Sequence, residues 1–379
     1  MANTLTALQP ILFSAAQKVS KEACPMITAV DMRFQDKGVA YGDSVKVPVV
    51  AAKATSTYTP AMTTTAGTDT TPSAVTVSLS ANEFSSFNLT GEDQRSLENG
   101  GDNAMEFMRQ STEQAIRVLR NNMEKAATLA GKLGASRATG TAGTAPFASD
   151  LSDLVNVRKI LFDNGMPFAD AHIVLDSVAA DKIRSLGVYQ NAYQAGTNDQ
   201  LRTGVIDNKL GFAMHESAWV NAHTKGTLGG SPVTSGSTAT GATAITVAGG
   251  SGTIVGGDVL TFAVGTDKFV VNTSAVTAGT GIIGINRPGA RVVIPTANAI
   301  TIAANYTANL AFERSAIVGI SRAPIIPSSP LIEQTYVSDE YGMQYLVCKI
   351  YGDGMVTYRI HACYGFQAVN PEHIAIILG

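Results

Sequence analysis

The chain has 379 residues, which is too long for one small core and predicts two or three packed units. Hydrophobic residues make up 45% of it, whereas charged residues make up 15%, below the roughly 25% of ordinary domains. A surface this poor in charge is typical of proteins that bury much of it against other subunits. The formal net charge of -3 and the absence of a basic patch argue against a dedicated nucleic-acid binder.

The cysteines and the lengths of the apolar runs indicate the cellular compartment of the protein. Cys24, Cys348 and Cys363 do not make a disulfide framework. In a hairpin centred on Asp353, Cys348 would face Tyr358, and the two hairpin sulfurs would lie on the order of 17 Å apart. We therefore expect free thiols, and the absence of a signal peptide or an apolar run of about 18 residues predicts a cytoplasmic protein without a membrane span.

The first 85 residues are predicted to form two extended arms. Apolar residues at helical spacing predict a short amphipathic helix within an N-terminal arm over residues 1–40, and they include Leu5, Leu8, Leu12, Ala15, Ala16 and Val19. Alternating valines at 45–49 and 75–79 predict two half-buried strands. The Thr-rich residues 51–73 between them are too long for a turn, so we expect a β-arm over residues 41–85 that lies on a neighbouring subunit. A disordered low-complexity loop is the alternative.

Residues 102–133 give the clearest helical pattern. Apolar residues recur at steps of three and four, and a charged stripe from Arg109 to Glu124 supports ion pairs along the helix. Asp102 is expected to cap the start, and Gly134 to adopt a left-handed C-terminal cap. The predicted rod is roughly 48 Å long, and a plain core helix of a larger domain is the alternative interpretation.

The sequence changes character at residue 223. Before it, residues 151–163 and 178–186 are predicted helices, with a strand at 172–176. Residues 223–305 are nearly all Gly, Ser, Thr, Ala and Val, which predicts a small β-barrel or sandwich inserted into the mixed sequence. Its expected strands are 244–247, 259–264, 268–272, 282–285, 291–294 and 299–302.

Near the C-terminus, strand-forming residues at 344–351 and 355–364 flank Gly352, Asp353 and Gly354. A short glycine-containing loop between two such runs predicts a β-hairpin.

Two motifs could carry chemistry, and each has a plainer interpretation. Gly279, Gly281 and Gly284 match the GxGxxG pattern, but β residues follow where a cofactor site needs a helix, which favours a turn in the β module. His215 and Glu216 could form an acid/base or metal pair, but the histidines are scattered without zinc-site spacing. We therefore assign no catalytic, cofactor-binding or metal-binding residue and expect no cofactor.

The order of these parts resembles the major capsid proteins of tailed double-stranded-DNA phages, the HK-ninety-seven fold. Short strings similar to those of that family are TGVI at 203–206, LGF at 210–212, LAFERSAI at 310–317, YGM at 341–343 and GFQAVNPEH at 365–373. The β module, which opens near STATG at 237–241, is similar to the insertion of the P-twenty-two-type coat proteins.

The resemblance implies an α+β fold and a division of the chain. The implied parts are an N-terminal arm 1–40, an extended loop 41–85, a peripheral domain 86–149 with spine helix 102–133, an axial domain 150–222 and 306–350, an inserted all-β domain 223–305, and C-terminal strands 351–379 that return to the peripheral domain. Lys53 is the one lysine of the Thr-rich residues 51–73, and no crosslinking partner can be matched to it, so no covalent crosslink is implied.

The resemblance also implies a function. Copies of the chain would assemble as pentamers and hexamers into the icosahedral shell around the genome of a tailed bacteriophage, first in the host bacterial cytoplasm and finally in the virion. Separate scaffolding and portal proteins and non-specific contact with packaged DNA are the implied partners, with no membrane. Two alternatives stay open: another phage structural protein, of the tail or of the decoration type, and a hydrolase-type enzyme that uses His215 or Glu216.

Overall fold

The computed structural model describes residues 15–16, 18–19, 24–33, 44–49, 55, 73–93, 95, 102–190, 203–204, 206, 208–274, 276, 279–339 and 341–379. Most of the predicted N-terminal arm lies outside the described residues, and so does nearly all of the Thr-rich segment with Lys53. Of the helix expected in the arm, Ala15, Ala16 and Val19 are helical and buried.

The helices match the sequence periodicity closely. The helices whose bounds the structure describes are, in chain order, α1 (Pro25–Ala29), α2 (Asp102–Gly134), α3 (Ser152–Asp163), α4 (Ser177–Ser185) and α5 (Gly187–Gln190). Short 3-10 turns occur at Arg314–Ala316 and Pro371–His373. Asp176 caps α4, because its side chain accepts a hydrogen bond from the backbone amide of Ala179.

Helix α2 lies across a five-stranded antiparallel sheet. The sheet contains β3 (Ala81–Thr90), β15 (Ile317–Arg322), β16 (Ile332–Ser338), β17 (Gln344–Tyr351) and β18 (Met355–Ala368). Strand β18 is central, since it pairs with β3, β15 and β17. Ile116, Leu119 and Met123 of α2 share one apolar core with Tyr345 and Ile360 of the sheet.

A second, larger sheet runs in the order β6-β5-β14-β19-β4-β11-β12-β9-β8. Its strands are β4 (Arg137–Gly140), β5 (Ala171–Leu175), β6 (Ala213–Glu216), β7 (Ala222–His223), β8 (Gly229–Thr234), β9 (Ala244–Ser251), β10 (Val259–Phe262), β11 (Lys268–Ser274), β12 (Gly281–Ile285), β13 (Ile300–Ile302), β14 (Tyr306–Glu313) and β19 (Ile374–Leu378). Helices α3 and α4 cover one face with an apolar core. Residues of α1 and α2 reach the other face.

The two predicted strands of the β-arm form a hairpin base. Strands β1 (Ser44–Val49) and β2 (Ser73–Ser78) are antiparallel, with Val45 opposite Val77. Val47 and Val77 are buried against Val318 and Ile320 of β15. The base of the arm is therefore held on the five-stranded sheet, while its tip lies outside the described residues.

Gly134 does not form the left-handed cap expected of it. It is the last residue of α2, and its φ is not positive. A side chain at this position would put its Cβ 2.0 Å from the Cβ of Ala368, so the glycine lets the helix approach β18 closely. Gly134 therefore permits close contact between α2 and β18, and a local sequence pattern does not predict such a contact.

The β17–β18 hairpin is confirmed, but its register differs by one residue from the expectation. Gly352 donates its backbone N–H to the carbonyl of Met355, and Gly354 has φ +75°, so the loop is the two-residue turn Asp353–Gly354. Cys348 consequently faces Arg359 rather than Tyr358. All three cysteines are buried, and none of them forms a disulfide bond.

The β module is joined to the body through its strands. Strand β11 pairs with β4, where Lys268 lies opposite Ala138, so the module continues the large sheet. Most of its predicted strands are present, but residues 291–294 form only a single bridge, between Ile294 and Thr238, because Val292 and Val293 point into solvent. Strand β8 was not predicted, since its sequence GGSPVT has no apolar alternation.

Strand pairing divides the chain at the turn Arg314–Ala316. Residues 317–350 were expected in the axial domain, yet β15, β16 and β17 belong to the five-stranded sheet with β18. Strand β19 was expected to return to the peripheral domain, yet it pairs with β14 and β4 of the large sheet. The hairpin connection carries β17 into the sheet of β18, because consecutive strands usually pair. The named domains themselves stay predictions.

Candidate functional site

The suspected pair His215–Glu216 is split by the strand that carries it. Successive side chains of β6 point to opposite faces of the sheet. Glu216 forms an ion pair with Arg184 of α4, whereas the ring of His215 lies beside His172. The two neighbours in sequence therefore cannot act together as an acid/base pair.

The structure instead joins two histidines that are far apart in sequence. Nδ1 of His172 lies 3.1 Å from Nε2 of His215, and Nε2 of His172 lies 2.9 Å from Oδ1 of Asp170. Burial lowers the pKa of both imidazoles; the charge of His172 adds to the effect on His215, while Asp170 opposes it for His172. Burial therefore favours the neutral form of both rings.

No local signal could have brought these histidines together. They lie on β5 and β6, which are parallel neighbours with Val174 opposite His215. Parallel pairing joins segments through a long connection, so the register between them is a tertiary property.

The three glycines of the GxGxxG match serve β structure. Gly279 has φ +74°, and a Cβ there would lie 1.9 Å from the backbone carbon of Gly250. Gly281 begins β12, and a Cβ on Gly284 would lie 2.6 Å from the side chains of Asn272 and Thr273. These residues allow strands to approach one another, and the interpretation as a turn in the β module is confirmed.

Within the described ranges, no group of three histidine, cysteine, aspartate or glutamate side chains is arranged to hold a metal ion. Among the helices of the described part, none has the length and apolar character needed to cross a membrane.

An exposed aromatic patch lies on helix α3 and the loops beside it. We call Val155, Arg158, Phe162, Phe168 and Leu210 the aromatic patch. The Phe162 side chain is 70% exposed, and its ring centroid lies 6.5 Å from that of Phe168. Arg158 stacks on Phe168 and donates to the carbonyl of Leu210, which fixes the patch in one geometry. Exposed aromatic and arginine side chains of this kind are typical of protein–protein interfaces.

A second exposed region lies on the five-stranded sheet, on the face opposite α2. Phe84 of β3 is 54% exposed. Its ring contacts the ring of His361, and the guanidinium of Arg359 lies over it. Among the described residues, β3 and β16 each pair with one strand only, so each presents a free edge. Free edges offer backbone hydrogen bonds to another chain.

Comparison with known proteins gives a result at the level of structure. No protein-family model matches the sequence, and no curated protein matches it. A solved structure from Mycobacterium phage Che8 is similar with a TM-score of 0.52 and 14% identity, over 93% of this chain and 90% of that one. The capsid structure of the cyanophage P-SCSP1u is similar with a TM-score of 0.51 and 11% identity, over 92% and 86% of the two chains.

The chain therefore has a mixed helix-and-sheet fold of the phage-capsid type. This confirms the predicted fold class and the resemblance on which it rested. The P-twenty-two-type subgroup and the status of the β module as an inserted domain stay predictions.

Proposed function

We propose that this chain is the major capsid protein of a tailed bacteriophage, and that its copies assemble into the icosahedral shell enclosing the double-stranded DNA genome. The observation that carries the proposal is the likeness in fold to a phage capsid over about nine-tenths of both chains. Since the two sequences are only 11% identical, that likeness supports a shared architecture, and the function rests on inference.

The surface of the chain supports self-assembly. The aromatic patch and the free edges of β3 and β16 leave apolar and hydrogen-bonding surface unpartnered on separate parts of the chain. The base of the β-arm is anchored on the chain itself, which leaves its tip to contact a neighbouring copy in a pentamer or hexamer. Several such contacts, each weak, would act together through multivalency.

The parts of the chain take the roles that this function requires. Helix α2 would be the spine of the peripheral domain, and α3, α4 and the large-sheet strands outside the β module would form the axial domain near the symmetry axes. The β module would brace the subunit as an inserted domain. Separate scaffolding and portal proteins would direct assembly in the host cytoplasm, and packaged DNA would be touched without sequence preference.

The role is structural, and the residues once considered for catalysis have other tasks. Glu216 is paired with Arg184, and His215 with His172. A hydrolase that uses either residue gains no support from this geometry.

The proposal is tested by expressing the full chain and examining it by negative-stain electron microscopy and analytical ultracentrifugation. We expect closed particles or capsomer-sized assemblies. Phe162→Asp places a charge in the aromatic patch and is expected to shift the chain to smaller species with unchanged circular dichroism, whereas the control Phe162→Leu keeps an apolar side chain and assembles.

Monomers alone, in all salt conditions and with co-expressed scaffolding protein, would contradict the proposal. Tubes, or binding only to preformed shells, would instead favour a tail or decoration protein.

A further inference from the structure

A cavity of about 430 Å³ lies where β4 and α3 meet two loops of the β module. Of the thirteen described residues that line it, six are charged. Four of these are cationic and two are carboxylates, namely Arg137, Lys159, Lys268, Arg291, Asp163 and Asp267.

The carboxylates do not balance the cations. Nη1 of Arg137 lies 3.2 Å from Oδ1 of Asp267, and Nη2 of Arg291 lies 4.0 Å from Oδ2 of Asp163. Lys268 donates to a neutral group, the carbonyl of Gly140. Four cations against two carboxylates leave two positive charges in excess around the cavity.

Lys159 supplies the accessible part of that excess. Its side chain is exposed on α3, and it makes no ion pair or hydrogen bond within the part of the chain that the structure describes. It is therefore free to reach a molecule in the cavity.

Arg137 supplies the buried part. The residue is 4% exposed; its Nη2 donates to the carbonyl of Ile160 and to Oδ1 of Asn164, while Nε has no acceptor among the described residues. Burial lowers the pKa of this guanidinium, Asp267 opposes that effect, and the nearby charge of Arg291 adds to it. Asp267 offsets part of this buried charge, the like charge of Arg291 adds to its cost, and an anion in the cavity would lower that cost.

We propose that this cavity is an anion site that binds a phosphate-type dianion, either inorganic phosphate or a phosphomonoester. Two excess positive charges match a dianion rather than a single carboxylate or a phosphodiester. The bound anion would lie between Lys159 and Arg137 of the body and Lys268 and Arg291 of the module, so it would fasten the module to the body. The site belongs to one chain and does not depend on the proposed shell.

The test is isothermal titration calorimetry of the full chain in chloride buffer at pH 7.5, with inorganic phosphate as the probe. We expect saturable binding at one site per chain. Lys159→Gln should weaken it about tenfold, and adding Arg291→Gln should weaken it by about the same factor again. The control is Lys182→Gln, which removes an exposed lysine of α4 far in sequence from the cavity and should leave the affinity unchanged.

Two further titrations identify the ligand class. Methyl phosphate, a dianion, should bind like phosphate, whereas dimethyl phosphate, a monoanionic diester, should bind at least about tenfold more weakly. Equal binding of the diester would overturn the proposal in favour of a nucleic-acid backbone contact. Absence of saturable phosphate binding, or equal weakening by Lys182→Gln, would overturn the site itself. Lys159 is exposed and has no ion-pair partner among the described residues, so its variant is expected to fold, and circular dichroism checks this.

Discussion

The α2 region and the β module bury very different kinds of side chain. The core between α2, α1 and the five-stranded sheet encloses several charged groups, among them Arg120, Glu124 and Asp339. In the described part of residues 229–302, Asp258 is the one buried residue that carries a formal charge, and the other buried residues are apolar except Thr234, Thr238 and Asn286. The two regions are therefore stabilised in different ways.

The buried charges of the α2 region connect segments that are far apart in sequence. Nη1 of Arg120 lies 2.8 Å from Oδ2 of Asp339, a residue 219 positions away. The carboxylate of Glu124 accepts hydrogen bonds from the backbone amides of Met26 and Ile27, at the start of α1. A buried charge that finds only one set of partners favours a single arrangement of these segments.

The β module relies on hairpins between successive strands and on close backbone contacts. Strand β8 pairs with β9, and β11 pairs with β12. Gly279 and Gly252 lie where a side chain would collide with backbone atoms of a neighbouring segment. Buried charge pairs therefore stabilise the α2 region, whereas close backbone contacts stabilise the β module. Separate substitutions can remove each kind of interaction.

The largest expected effect is the loss of the buried ion pair. Asp339→Ala leaves Arg120 charged and buried, and we expect the free energy of unfolding to fall by about 3 to 5 kcal/mol. Urea unfolding of the unassembled chain, followed by circular dichroism, measures this. The double variant Arg120→Met with Asp339→Leu removes both charges and should cost clearly less. A change in the single variant of less than about 0.5 kcal/mol would mean that the pair contributes nothing.

The next effect concerns a glycine of the β module. Gly279→Ala introduces a Cβ at φ +74° against the backbone of Gly250, and should lower the free energy of unfolding by about 2 to 4 kcal/mol. Gly265→Ala in the same module meets nothing within 4 Å at a φ that is not positive, so it should be close to neutral. Equal stability of the two variants in the same unfolding assay would refute the steric argument.

The smallest expected effect is a pH dependence of stability that arises from the partly buried imidazoles of His172 and His215. The folded pKa values of His172 and His215 lie below the ordinary value of about 6.5, so the unfolded chain binds more protons as the pH falls. The stability that the two histidines contribute is fully present above the unfolded pKa of about 6.5. It is lost as the pH falls through their folded pKa values. Asp170, Arg314 and Glu313 supply the charges around His172.

His215→Gln should reduce this loss. We expect the slope of Tm against pH between about 7.5 and 5 to be shallower in the variant than in the native chain. The same slope in both proteins would show that the pair titrates as it does in the unfolded chain.

Local elements were accessible from the sequence because their signals are periodic and short-ranged. The spacing of apolar residues in α2, the alternating valines of β1 and β2, and the glycine turn before β18 each specify one element. These elements, taken in order, also carried the resemblance to phage capsid proteins that the fold bears out. The sequence places His215 and Glu216 side by side, but the alternation of β6 separates them, and the contact between His172 and His215 was not predicted.

The tertiary structure decided what meets across the chain. It put β15, β16 and β17 into the sheet of β18, gave Gly134 a contact with Ala368 instead of a cap, and gathered four cations around one cavity. The hairpin shows the reason on a small scale, since one residue more or less in the turn moves every cross-strand partner. Periodicity fixes the face of an element that is buried, whereas the partner of that face depends on how distant segments fit together.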